Sequence, residues 1–173
     1  MLPLSMVREQ LDVYREACRK YGHTPDIVFV QAIYLDEDGD RARREAEPFI
    51  LQFLKGNASP LSDLPPKEEL IGKDFGFYAS GALESLTRIP YQELLDKEFV
   101  WVGSPGEIRE KVAGLIEQCP GLTEISLLCT YAGMEHWKTI RTQQLFGEKI
   151  LPYFDDRKAS GATADPSPAL SGR

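Results

Sequence analysis

A glycine- and hydroxyl-containing stretch, VGSPGEIREKV, has the composition of loops that cradle a phosphate group. Its glycines, Gly103 and Gly106, do not form a dinucleotide-binding fingerprint, and no Lys followed by Ser or Thr completes a P-loop. Ser104, Pro105 and Glu107 instead have the spacing of a helix N-terminus closed by a capping box. The stretch therefore predicts a turn from an extended segment into a helix, and anion binding at Ser104 is the alternative interpretation.

An acidic run follows the first strongly apolar segment and has the spacing of a calcium-binding loop. Asp36, Asp38, Asp40 and Glu47 fall at relative positions 1, 3, 5 and 12. Arg41, however, stands where such a loop requires glycine, and the segment before the run is predicted to be a strand rather than a helix. We therefore expect a solvated acidic helix start, which also suits the helix dipole.

The histidines and cysteines show no metal-ligand spacing. His23 is predicted to lie in a turn and His136 at the start of the last helix, and neither has neighbours arranged as in zinc sites. We therefore expect no metal. An odd number of widely spaced cysteines is typical of reduced thiols and predicts a cytoplasmic protein; they are Cys18, Cys119 and Cys129.

Size and composition are those of one globular domain. The 173 residues are 42% hydrophobic and 27% charged, which suffices for a packed core. The formal net charge of −7 disfavours nucleic acid as a partner. No apolar run is long enough to span a bilayer, and the N-terminus lacks the basic flank and apolar core of a secretory signal.

Two segments rich in β-branched and aromatic residues predict buried strands, Ile27–Leu35 and residues 123–131. Apolar residues at helical spacing predict helices around them, the last over residues 136–153. Alternating strands and helices predict a parallel α/β sheet. Because two parallel strands leave open edges and an uncovered face, the sequence predicts part of a larger sheet.

The globular part is predicted to span residues 1–157. Within it, residues 55–96 contain many prolines and glycines and predict an irregular insert with a short helix at 91–95. Residues 158–173 are rich in Ser, Ala, Gly and Pro and predict a disordered tail. The insert is expected to lie over the end of the sheet and to act either as a substrate lid or as an ordinary surface excursion.

Three longer stretches occur in a characteristic order. The first is YREACRKYGHTPDIVFVQAIYLDEDGDRARREAEPFI, the second is VGSPGEIREKVAGLIEQCPGLTEISLL, and the third is QLFGEKILPYF. They resemble, in turn, the penultimate strand with its helices, the last helix–strand unit and the closing helix of the bacterial luciferase-like, flavin-dependent monooxygenase family. The resemblance covers most of residues 7–154, and it is carried by the order and spacing of the motifs.

The resemblance implies a fold, a chemistry and a cofactor. Members of the family are (β/α)8 barrels that use reduced FMN, or in relatives a deazaflavin, with O2 to oxidise small organic substrates. The chain would then be the C-terminal part of such a TIM barrel, with the last two strands and their helices. Because a barrel cannot close on two strands, the resemblance implies a truncated chain that another chain, or a second copy, completes.

The site residues follow from the rule that barrel active sites collect at the carboxyl ends of strands. Gln31, the one polar residue of its strand, and Ser104, at a helix start, are the expected cofactor contacts. A core amide with satisfied hydrogen bonds is the alternative interpretation of Gln31. No catalytic residue is assigned, and substrate contacts are expected at Tyr34, Thr130, Tyr131 and His136.

Two other functions fit the same residues. One is a non-catalytic, truncated α/β domain stabilised by dimerisation, in which each copy covers the open sheet of the other. The other is a small doubly wound domain that binds an anion at the helix start of Ser104. The low number of predicted strands disfavours the doubly wound domain.

Overall fold

The computed structural model describes residues 4–58 and 88–159. These residues form six helices and three strands that alternate along much of the chain. In chain order they are α1 (Leu4–Tyr21), β1 (Ile27–Leu35), α2 (Gly39–Ala58), α3 (Tyr91–Asp96), β2 (Val100–Gly103), α4 (Pro105–Gln118), β3 (Leu122–Leu128), α5 (His136–Lys149) and α6 (Leu151–Ala159).

The sheet is parallel, with the strand order β2-β1-β3. Strand β1 pairs along its second half with β2, from Ala32 opposite Val100 to Leu35 opposite Gly103. Along its first half it pairs with β3, from Ile27 opposite Leu122. The α/β class is confirmed, but the expectation of two strands is wrong. The four-residue segment before the Ser104 turn is a third strand, because its apolar side chains are buried against both neighbouring helix layers.

Helices cover both faces of this sheet. On the first face, Phe29, Ile33 and Leu35 of β1 pack with α4 and α5, and α1 and α6 lie against the same cluster. On the second face, Ala32 and Tyr34 pack with α2 and α3. Successive strand residues point to opposite faces, and both faces are apolar, as expected for a parallel strand buried on both sides.

The placement of helices on both faces of the sheet differs from the arrangement of helices in a complete barrel. In a (β/α)8 barrel the helices form a single outer ring, whereas the described helices lie on both sides of the sheet. The order β2-β1-β3 is that of the first strands of a flavodoxin-like, doubly wound sheet. The described residues therefore establish a parallel α/β sheet, and its place in a barrel remains a proposal.

The helix starts are fixed by their own side chains. Ser104 and Glu107 form the expected capping box of α4, with Pro105 in the first turn. Asp38 precedes α2, and its carboxylate accepts hydrogen bonds from the N–H groups of Asp40 and Arg41, at 2.9 and 3.1 Å. These contacts satisfy helix N–H groups that have no partner within the helix.

The final helix is shorter than expected. Instead of one helix over residues 136–153, α5 ends at Lys149 and α6 begins at Leu151. Ile150 lies between them with φ −113° and is fully buried. Pro152, two residues after Ile150, has no backbone N–H to continue the hydrogen-bond ladder of α5.

Helices occupy both ends of the expected irregular insert. Helix α2 continues through Pro48 to Ala58, and the short helix expected at 91–95 is present as α3. The remainder of the insert, residues 59–87, lies outside the described residues, as does the tail over 160–173. The lid role and the disordered tail therefore stay predictions. Among the helices described, none is long and apolar enough to cross a bilayer.

Candidate functional site at the carboxyl edge of the sheet

The candidate site lies where the loops after β1 and β3 meet. In doubly wound sheets, ligands bind outside the carboxyl ends of strands at the point where the strand order reverses. In the order β2-β1-β3 this point lies between β1 and β3. Helix α5 packs against it, because Thr142 Oγ1 accepts a hydrogen bond from Leu35 N at 3.2 Å.

A buried carboxylate, Asp36, occupies the first residue after β1. Its Oδ1 accepts hydrogen bonds from Arg41, with Nε at 2.8 Å and Nη2 closer still, and from Asp38 N at 3.0 Å. Arg141 Nε of α5 lies 3.2 Å from Oδ2, an ion-pair distance without hydrogen-bond geometry. Because the carboxylate is shared by two guanidinium groups, it ties the loop after β1 to α5.

The pKa of Asp36 reflects this environment. Burial alone would raise it, but the hydrogen bonds from Arg41 and Asp38 and the charge of Arg141 outweigh burial and hold the pKa below its usual value. Asp36 is only 3% exposed. The expectation of a solvated acidic helix start is therefore wrong for Asp36, although it holds for the exposed side chain of Asp40.

Tyr34, an expected substrate contact, is buried and already has a partner. Its hydroxyl donates to Glu45 Oε2 of α2 at 2.9 Å. Burial, followed by the hydrogen bond to Glu45 and its negative charge, raises the pKa of Tyr34 well above the usual tyrosine range. Lys138 Nζ of α5 lies 3.9 Å from the same carboxylate oxygen. A charged row thus crosses the crevice from α2 to α5.

The residues after β3 differ in accessibility. Tyr131 is 3% exposed, and its hydroxyl donates to the carbonyl of Ile33 at 3.1 Å. Burial raises the pKa of this hydroxyl. Thr130 is exposed, with its Oγ1 3.5 Å from Thr139 Oγ1, and His136 is exposed as the first residue of α5. The structure therefore brings Tyr34 and Tyr131 into one cluster and leaves Thr130 and His136 at its solvent side.

Gln31 lies lower in the sheet, four residues before the end of β1. Its Nε2 donates to the carbonyls of Glu98 and Phe99, each at 3.3 Å, and the side chain is 1% exposed. It also lines a groove of about 660 Å³ beside β2, together with Trp101 and Leu95. Its amide thus stabilises the start of β2, as the core-amide interpretation expects, and a ligand in the groove could reach it.

Ser104 is engaged within its own helix start. Glu107 Oε2 accepts hydrogen bonds from Ser104 N and Oγ, both at 2.7 Å, and Arg43 pairs with Oε1 at 2.9 Å. Burial would raise the pKa of Glu107, but these hydrogen bonds lower it, so the carboxylate stays charged. An FMN phosphate does not fit here, because a carboxylate already occupies the anion position of the helix.

The sequence analysis did not select the charged side chains that surround Asp36 and Tyr34. Arg41, Glu45, Lys138 and Arg141 were not selected, although each lies in or near a helix that starts at the carboxyl edge. A search for basic residues in the first turns after each strand would have found Arg41 and Lys138. Across the described ranges, no group of three or more His, Cys, Asp or Glu residues is placed to hold a metal ion.

Comparisons with known proteins identify a fold but not a family. No protein-family model matches the sequence, and no curated protein matches it. Among solved structures, the chain is similar to the monooxygenase RslO1 from Streptomyces bottropensis, with TM-score 0.59 and 25% identity over 89% of this chain and 40% of that one. This chain therefore has the fold of part of a monooxygenase.

A second solved structure gives the same result. It is the oxygenating constituent of 3,6-diketocamphane monooxygenase from the CAM plasmid of Pseudomonas putida, a type II Baeyer-Villiger monooxygenase in complex with FMN. The TM-score is 0.56 at 21% identity, over 88% of this chain and 41% of that one. The chain thus spans about two fifths of the length of both monooxygenases.

Proposed function

We propose that this chain is the C-terminal part of a luciferase-like, flavin-dependent monooxygenase, an oxidoreductase that acts on a small organic substrate with O2 and reduced FMN. The observation that carries the proposal is the similarity of nearly the whole chain to two monooxygenases, one of them in complex with FMN. The order of the three sequence motifs supports the same assignment. A deazaflavin in place of FMN is a variant of the proposal.

In this function the flavin supplies the oxygen chemistry, and the protein positions and shields it. The charged row from Glu45 to Lys138 and the buried carboxylate of Asp36 hold the rim of the site in place. Tyr34 and Tyr131 contribute an apolar wall, because their hydroxyls are engaged by the protein. Thr130 and His136 are the accessible polar groups that would meet a substrate.

The flavin contacts of this chain are limited to the groove at Gln31. Ser104 is excluded as a phosphate ligand while Glu107 holds its present position. The phosphate of FMN would therefore be held by barrel strands other than the three described. This expectation makes the chain dependent on a companion that carries the preceding strand–helix units.

Equilibrium titration with FMN, followed by flavin fluorescence, tests the proposal. We would titrate the chain alone and the chain coexpressed with the part of the Streptomyces bottropensis monooxygenase that it does not cover. Saturable quenching in the coexpressed sample is expected, with riboflavin as the control that lacks the phosphate. Absence of FMN binding in both samples would overturn the proposal.

A second candidate function is a non-catalytic α/β domain that is stabilised as a homodimer. The observation in its favour is the bare lower part of the second face, where Val28 and Val30 of β1 are 54% and 47% exposed. Apolar residues of a central strand are normally covered in a parallel sheet. Light scattering on the purified chain separates the two candidates, since the dimer is required only by the second.

A further inference from the structure

The two edges of the sheet are protected to different degrees. Strand β2 is four residues long, and ion pairs lie at both of its ends. Lys111 of α4 pairs with Glu98 at 2.6 Å before the strand, and Glu107 of α4 pairs with Arg43 of α2 after it. Short length and flanking charge are the means by which proteins prevent an edge strand from pairing with another chain.

Strand β3, at the other edge of the described sheet, lacks these features. It has seven residues, LTEISLL, and a single charged side chain, that of Glu124. From Ile125 to Leu128 its residues are only half-buried. A long apolar edge strand of this kind is a template for further strand pairing.

A cleft of about 240 Å³ runs beside β3 on the first face. Helix α5 packs on β1, where Thr142 contacts Leu35, and reaches the carboxyl end of β3, where Gln143 Nε2 lies 3.4 Å from Cys129 Sγ. The far side of the cleft is open, and Leu151 at its mouth is 48% exposed. The cleft is lined by Ile33, Leu127, Cys129, Thr142, Gln143, Phe146, Gly147 and Leu151.

We propose that β3 pairs in antiparallel fashion with β3 of a second copy, about a twofold axis near Ile125. The result is a six-stranded sheet in the order β2-β1-β3-β3-β1-β2. This inference rests on the second candidate function and specifies its interface. The strand is self-complementary in this register, since Glu124 lies opposite Ser126 and Leu122 opposite Leu128, so no like charges face each other directly.

The expected distance between the two α5 helices supports a second copy of this chain as the partner that covers the β3 edge. If α5 lies over the β1–β3 pair in each copy, the two helices are separated by two strand spacings, about 10 Å. Packed helices are separated by about 8–10 Å, so the helix of one copy would close the open side of the partner's cleft.

The test is a charge reversal at the seam, measured by sedimentation velocity without flavin. Wild-type protein is expected to be dimeric at micromolar concentration. Ser126→Glu places two like-charged pairs across the seam and is expected to raise the dimer Kd about tenfold or more. Adding Glu124→Lys to that variant is expected to restore dimerisation, because each pair then becomes Lys opposite Glu.

Matched controls keep the outcome interpretable. Ile116→Glu, at a 46% exposed position of α4 outside β3 and its cleft, is expected to leave the dimer unchanged. Circular dichroism and urea unfolding check that each variant is folded. A monomeric wild type overturns the proposal, as does a dimer that Ser126→Glu does not weaken or that the double variant does not restore. These results are independent of the FMN titration, so failure here leaves the flavin proposal standing.

Discussion

Arg141 Nε lies 3.2 Å from Oδ2 of Asp36 and thereby connects the helix after the last strand to the loop after the first. The carboxylate is buried, whereas the Arg41 and Arg141 side chains are 43% and 37% exposed. The three side chains therefore act as a clamp, in which the Asp36 carboxylate is shielded from water and the Arg41 and Arg141 guanidinium groups reach solvent. It holds the two loops that form the crevice at the carboxyl edge of the sheet.

Replacing the carboxylate should release this clamp. We expect Asp36→Asn to lower the free energy of unfolding by about 1–2 kcal/mol, less than for a fully buried pair because both arginines retain water contact. Urea unfolding measures the change. The matched control is Asp12→Asn in the exposed Asp12–Arg15 pair, for which a loss below about 0.5 kcal/mol is expected. Equal effects of the two substitutions would contradict the clamp.

Acid should destabilise the fold by protonating the carboxylates of Asp36 and Glu107. Asp36 and Glu107 have pKa values below their usual range, so their stabilisation is present above the unfolded pKa and is lost as the pH falls through the folded pKa. We therefore expect the free energy of unfolding to decline below about pH 4. Asp36→Asn should flatten that decline, as measured by urea unfolding between pH 2 and pH 7. If the free energy of unfolding of this variant declined at low pH as steeply as that of the wild type, Asp36 would not be a source of the acid sensitivity.

Alkali should weaken the fold through buried tyrosines. The pKa values of Tyr34, Tyr91 and Tyr131 are raised, chiefly by burial, so the neutral phenols stabilise the fold below the unfolded pKa. Their contribution is lost as the pH rises beyond about 10, where the unfolded phenols ionise. Absorbance at the phenolate band should show these tyrosines ionising only when the chain unfolds, as followed by circular dichroism. Ionisation of all tyrosines near pH 10 in the folded protein would refute this.

The turn between α4 and β3 requires a backbone conformation at Gly121 that favours glycine. Gly121 has φ +87°, and an added Cβ would lie 2.9 Å from Pro25 Cβ. We expect Gly121→Ala to destabilise the protein by about 1–3 kcal/mol. The control is Gly114→Ala within α4, where the nearest atom would be 3.7 Å away and where alanine should stabilise the helix by about 0.5–1 kcal/mol. The same sign of change in both variants would be inconsistent with a conformational requirement at Gly121.

Sequence reasoning succeeded where local chemistry decides the structure. The nine-residue strand β1 and the capping box at Ser104 follow from side chains within a few residues of one another. It predicted an extended segment before Ser104 but did not count this segment as the strand β2, because four residues are too few to show a period. It also failed for Asp36, because the arginine of α5 that accompanies its burial is distant in the sequence. Tertiary contacts, not local propensity, decide both cases.

The most direct test of the central proposal is the position of FMN relative to Gln31. In ¹⁵N-labelled chain coexpressed with the uncovered part of the Streptomyces bottropensis monooxygenase, we expect FMN to shift the side-chain amide signal of Gln31. The backbone amide signals of Leu95 and Trp101, which line the same groove, should shift with it, while those of α6 stay in place. FMN binding that leaves Gln31 unperturbed, or no binding at all, would contradict a flavin site on this chain.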